Sequence, residues 1–220
     1  MKALALALAV AVFPLTLAAQ HDVAARLAGR VPPEVVRAVQ EIAAATRARG
    51  LPVEPLIQKA IEGGAKGVPA DRVIAAVRTL AGRLDEAATA LHEGGLGTPD
   101  ADVVEGAAYA LNAGLSARQV RDLVRVSRRP YKPDLTLRVA ATLAALGVPA
   151  PKTVQLMETL IAAGRSPAEL LDLPGQVQSD VAQGATPAQA ADGLGRSAAH
   201  APPGRPPNWV PPGQVNPHKP

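Results

Sequence analysis

Four arginines carry the densest chemistry in this chain: Arg118, Arg121, Arg125 and Arg128 step by 3, 4 and 3 residues. On a helix that spacing places all four within about 80° of one another, because successive residues turn by roughly 100°. Val120, Leu123 and Val124 fall on the opposite side and predict the face turned to a core. The cations continue into Arg129-Pro130-Tyr131-Lys132-Pro133, which sets a tyrosine among them. Between Ala117 and Arg138 there are seven Lys/Arg and two Asp, a local charge of +5, against −2 over residues 149–200. Guanidinium forks bind oxyanions in bidentate fashion, so such a stripe suits phosphates or carboxylates. Anionic lipid head groups, anionic cell-wall polymers or an acidic protein partner fit that chemistry. A solvated helix face that keeps the protein in solution is the plainer reading of the same run. The candidate ligand- or anion-binding residues are Arg118, Arg121, Arg125, Arg128, Arg129, Tyr131 and Lys132.

Catalytic chemistry finds less to work with. The four histidines, His21, His92, His200 and His218, fall in a leader, at a helix end and in the tail. A His-Glu-x-x-His pair, a phosphate-binding glycine loop, a nucleophile elbow and a dinucleotide fingerprint are all missing from the sequence. Glu62-Gly63-Gly64 and Glu93-Gly94-Gly95 place carboxylates in similar settings, but both read as helix terminators. With no cysteine, the chain has no disulfide, thiolate metal site, thiol nucleophile or lipobox anchor. The expectation is a protein without catalytic residues or cofactor. A metal site arises only if processing leaves Ala19-Gln20-His21 at the N-terminus, where the free amine and His21 can wrap Cu(II) or Ni(II).

The chain's ends bear on location. Lys2, the Ala/Leu/Val run from Ala3 to Val12, Phe13-Pro14 and the small residues to Ala19 have the layout of a secretory signal peptide over 1–19, cleaved after Ala18 or Ala19. The apolar run is shorter than the ~20 residues of a spanning helix, and no later stretch is apolar enough to span. The protein is expected to be exported, periplasmic or extracellular, with no transmembrane segment in the mature chain. Removing Lys2 with the signal leaves 22 Lys+Arg against 19 Asp+Glu, a net +3, too small to imply a nucleic-acid partner. Eight of the residues 202–220 are proline, which predicts a disordered proline-rich tail over 198–220 carrying Trp209 as a possible docking residue.

The elements that must position these residues are legible from a repeated junction. Gly50-Leu51-Pro52, Gly67-Val68-Pro69, Gly114-Leu115-Ser116 and Gly147-Val148-Pro149 each set a glycine and an apolar residue before a helix-opening Pro or Ser. Gly164-Arg165-Ser166-Pro167 and Gly184-Ala185-Thr186-Pro187 are looser copies. Glycine ends one helix in the left-handed conformation and the next residue folds back onto the last turn. Ser, Thr or Pro then opens the next helix. Helices are predicted over 33–49, 54–66, 70–92, 99–113, 117–128, 134–146, 151–163, 167–183 and 187–194. Within 70–92, Val73, Val77, Leu80, Leu84, Ala87 and Leu91 form one apolar stripe. Ser116 with Gln119, Ser166 with Glu169 and Thr186 with Gln189 predict capping boxes. A polar lead-in over 20–32 thus precedes a single all-α domain over 33–197. Its antiparallel helical hairpins form either a degenerate repeat, solenoid-like array or a compact multi-helix bundle. The expected function is that of an exported, non-catalytic interaction or scaffold protein with an unidentified protein partner. The alternative is a binder of anionic envelope components through 118–132.

Overall fold

The computed structural model describes residues 22–200, and every regular element among them is a helix. Ten helices take up 76% of the described residues. They are α1 (22–27), α2 (Pro33–Ala48), α3 (Glu54–Ala65), α4 (Ala70–Glu93), α5 (Ala101–Asn112), α6 (Ala117–Val126), α7 (Pro133–Ala145), α8 (Ala150–Ala162), α9 (Pro167–Ala182) and α10 (Pro187–His200). The all-α expectation is met. The helices pack into two compact units, which divide between Asp85 and Glu86 within α4.

All six predicted junction glycines take positive φ, from 64° to 103°. At the α5–α6 turn Gly114 has φ 103°, and its N–H donates to the Leu111 carbonyl at 3.1 Å. The Leu115 N–H reaches back to the Ala110 carbonyl at 3.0 Å, and the Leu115 side chain is buried. This bond pair satisfies carbonyls that the helix end would otherwise leave bare. Ser116 Oγ then accepts from the Gln119 N–H at 3.3 Å, while Gln119 Oε1 accepts from the Ser116 N–H at 2.8 Å. One helix is closed and the next opened in four residues. The same reciprocal bonds join Ser166 to Glu169 and Thr186 to Gln189.

Three local readings change. The Glu62-Gly63-Gly64 run lies inside α3 and does not end it; the residue of positive φ there is Gly67. Gly63 and Gly64 serve contact instead. A Cβ on Gly63 would lie 2.7 Å from Val73 Cγ2, and one on Gly64 would overlap the Arg30 carbonyl oxygen. Glu93-Gly94-Gly95 does close a helix, with Gly95 at φ 101°. Residues 22–27, within the stretch read as a lead-in, are helical and bury Val23 and Leu27. Lastly, α10 continues past 194 to His200, so residues 198–200, read as the start of the disordered tail, are helical and Ala198 is buried.

The cores are built of Leu, Val and Ala. In the first unit Leu27, Val35, Val39, Leu56, Ile57 and Leu84 are almost wholly buried. In the second Leu123, Leu137, Leu143, Met157, Leu170 and Leu173 play that part. Small residues let helices close up: a Cβ on Gly106 of α5 would meet Leu137 Cβ of α7 at 3.5 Å. The buried hydroxyls of Thr46, Thr136 and Thr153 each donate to a backbone carbonyl, at 2.8, 3.2 and 3.4 Å. No buried side-chain N or O among the described residues lacks a partner.

The new helix α1 is tied to α3 by charge. Arg26 donates to both oxygens of Glu54, at 2.5 and 2.6 Å, and Gln58 adds a bond at 2.7 Å. The hydrogen bonds from Arg26 and then Gln58 hold the Glu54 carboxyl down to about 2. Its pKa is lowered on folding, so its contribution is present above the ordinary value of 4.5 and fades as pH falls from there towards about 2. Urea midpoints at pH 5 and pH 2.5 test this. The wild type is expected to lose more stability between them than Glu54→Gln, and an equal loss would refute the assignment. The difference is expected to be small, because the pair is solvent-exposed.

Candidate functional site

The arginine stripe divides into parts with different jobs. Helix α6 ends at Val126, so Arg118, Arg121 and Arg125 are helical and Arg128 is not. The chemical cause is Pro130: it has no N–H for the Val126 carbonyl, and it drives the preceding residue out of helical geometry. Ser127 Oγ donates to the Leu123 carbonyl at 2.6 Å and finishes the turn. As expected from the period, Val120, Leu123 and Val124 are buried.

On the helix, acids answer the cations. Asp122 stands between Arg118 and Arg125, 3.9 Å from the Nε of one and 3.6 Å from Nη1 of the other. Arg121 is half-buried and ion-paired with Glu93 at the end of α4. Arg125 Nη2 also donates to the Glu93 carbonyl at 3.4 Å. Such exposed pairs contribute little stability each. They do consume much of the positive field that spacing alone suggested for α6.

Beyond the helix the balance differs. Arg128, Arg129 and Lys132 are exposed and have no hydrogen-bond or ion-pair partner for their side chains among the described residues. They sit on the 127–132 connection, where the Arg129–Pro130 bond is cis and Pro133 opens α7. Tyr131 is not on that surface. Its ring is buried, only 8% exposed, and its hydroxyl donates to the Arg165 carbonyl at 2.5 Å. The Tyr131 N–H donates to the Arg128 carbonyl at 2.8 Å, which tightens the loop on itself. Tyr131 is thus removed from the anion-contacting set and becomes the pin beneath it.

The pin has a consistent electrostatic setting. Burial, and then the negative charge of Glu169, push the Tyr131 hydroxyl above its ordinary range, so it stays protonated and able to donate. Burial also pushes the Glu169 carboxyl up, but bonds from the Ser166 N–H and hydroxyl, with Arg165 beside it, leave it below the usual value. Arg165 Nη1 lies 3.1 Å from Glu169 Oε1.

The remaining candidates lie elsewhere. His21 and Trp209 fall outside the described residues. Among the described residues no three His, Asp or Glu gather as a metal site, and no helix is long and apolar enough to cross a membrane. A cleft of about 310 Å³ opens between α8 and α10, floored by Leu156, Ala191 and Gly195. At one end Lys152 Nζ donates to both Asp192 oxygens, at 2.5 and 2.6 Å. Sequence reading missed this cleft, whose trace was the run of small residues along α10. The fold and site together define an all-α protein with a cationic loop held on a tyrosine pin. No protein-family model, curated protein or solved structure matches the chain.

Proposed function

We propose that this is an exported, non-catalytic helical interaction protein that holds anionic envelope components on the loop Arg128–Lys132. The observation that carries the reading is three exposed, unanswered cations within five residues, on a connection anchored by the buried Tyr131. An anchored loop loses little conformational freedom on binding, so its charges act together. The exposed loop suits a head-group surface or an extended polyanion. Support for export comes from the N-terminal sequence, with its charged start, apolar run and small residues before the lead-in.

The test is co-sedimentation with vesicles of phosphatidylglycerol and phosphatidylcholine, with phosphatidylcholine alone as control and soluble polyphosphate as a competing polymer. Binding to the anionic vesicles is expected at low salt and lost at high salt. At about 1 kcal/mol per cation, the combined Arg128→Gln, Arg129→Gln, Lys132→Gln variant should bind on the order of a hundredfold more weakly. Arg118→Gln should change little, because Asp122 already answers that charge. Equal retention of the triple variant, or retention insensitive to salt, would overturn the reading.

A further inference from the structure

The α8–α10 cleft is independent of the cationic loop, and its occupant can be argued from where the described chain stops. The cleft's floor is apolar: Leu156 of α8 faces Ala191 and Gly195 of α10, and Ala199 continues the wall. Gly195 widens it. A Cβ there would sit 3.8 Å from Leu156 Cδ1, so the glycine leaves room that a larger side chain would fill. At about 310 Å³ the space is at the low end of the ~300–1,000 Å³ of small-ligand clefts, suited to one ring system and its neighbours. Its polar groups are largely engaged, Lys152 with Asp192 and His200 Nδ1 with the Arg196 carbonyl at 2.8 Å. Arg196 is left at the rim, exposed and without an ion-pair partner among the described residues.

The described chain ends at His200, itself a residue of the cleft wall, and twenty residues follow it in the sequence. These carry the protein's single tryptophan, Trp209, next to Val210. From Ala191 to His200 the cleft wall runs about 14 Å at the rise of an α-helix. The nine residues from His200 to Trp209 can reach about 28 Å at the rise of a proline-rich extended chain. That is twice what is needed to return along the cleft. We propose that the C-terminal segment folds back and that Trp209 docks in the α8–α10 cleft, its indole on Leu156 and Gly195 and beneath Arg196. The prolines around Trp209 restrict the segment beforehand and lower the entropy lost on docking. The segment holds Arg205 and Lys219 and no Asp or Glu. Apolar contact and a cation over the ring carry the docking, and salt should affect it little.

Because Trp209 is the only tryptophan, its fluorescence reports on this segment alone. In the full chain its emission is expected at shorter wavelength than in a free peptide of residues 201–220, with several-fold weaker acrylamide quenching and no dependence on protein concentration. Gly195→Leu fills the cleft at a position of ordinary helical φ, and it should restore peptide-like emission and quenching. Ala199→Lys, at an exposed site on the wall, is a second blocking variant that keeps the test open if Gly195→Leu fails to fold by circular dichroism. Peptide-like emission in the wild type would refute the proposal. So would an indole equally protected in folded blocking variants, or protection that appears only as concentration rises.

Discussion

Gly64→Ala is expected to destabilise the first unit by about 3 kcal/mol or more, its added Cβ making the closest approach of any at the described glycines. The added Cβ would overlap the Arg30 carbonyl oxygen and lie 2.7 Å from Val31 Cγ1. A flexible side-chain tip can swing away from such a clash, but a backbone carbonyl moves only with its neighbours. Here the neighbours are the buried Val31 and the turn after α1, whose Arg30 N–H is bonded to the Leu27 carbonyl at 3.0 Å. Accommodating the methyl group therefore means parting α3 from that turn and opening the core around Leu27. The internal control is Gly82→Ala. Gly82 lies within α4 at ordinary φ with nothing within 4 Å of its Cβ position, so alanine there should stabilise by about 0.5–1 kcal/mol. Urea unfolding followed by far-ultraviolet circular dichroism, with amide exchange over residues 22–65, measures both. If Gly64→Ala were as mild as Gly82→Ala, the close approach of α3 would be wrong.

Tyr131→Ala is expected to cost about 3–5 kcal/mol, in the range for removing a buried aromatic side chain. The ring is a large buried group in a core otherwise made of aliphatic residues, and little nearby can expand to fill its place. Tyr131→Phe separates packing from polarity. It keeps the ring and removes the bond to the Arg165 carbonyl, for an expected loss of about 1–2 kcal/mol. The two variants also separate stability from binding. Vesicle affinity should survive Tyr131→Phe, because Arg128, Arg129 and Lys132 remain. It should fall in Tyr131→Ala even where the protein stays folded, because the loop is no longer pinned. A pH series adds a sign. The Tyr131 hydroxyl is raised above 10, so its proton is held more tightly in the folded protein. The Tyr131 contribution is therefore fully present below about pH 10 and is lost as pH rises further, and Tyr131→Phe should blunt that fall. A Tyr131→Phe variant as unstable as Tyr131→Ala would contradict the division.

What was legible in the sequence is what depends on neighbours a few residues apart. The Gly-apolar-Pro/Ser junctions and the capping boxes are local bond patterns, and of the stripe Val73, Val77, Leu80, Leu84, Ala87 and Leu91 all are buried but Leu80, which is half-buried. The failures share the opposite trait. Gly63-Gly64 resembles a terminator because a missing Cβ serves a tight turn and a close contact equally well. Contacts from elsewhere in the chain distinguish them: Arg30, 34 residues before Gly64, and Val73, ten residues after Gly63. Arg121 reads as a surface cation until Glu93, 28 residues earlier, is seen against it. Tyr131 sits among charges in sequence yet under them in space, because Arg165 supplies its partner from 34 residues on. Helix α1 escaped notice because Val23 and Leu27 are its only clear apolar pair.

The compact junctions have a consequence for survival among proteases. Connections between successive helices from α2 to α10 are four to seven residues long, the longest being 94–100. A protease must draw an extended stretch of backbone into its cleft, and tight, hydrogen-bonded turns offer very little to draw. A cysteine-free chain cannot lock itself with covalent bonds. Between α2 and α10 this one instead leaves little slack to be cut.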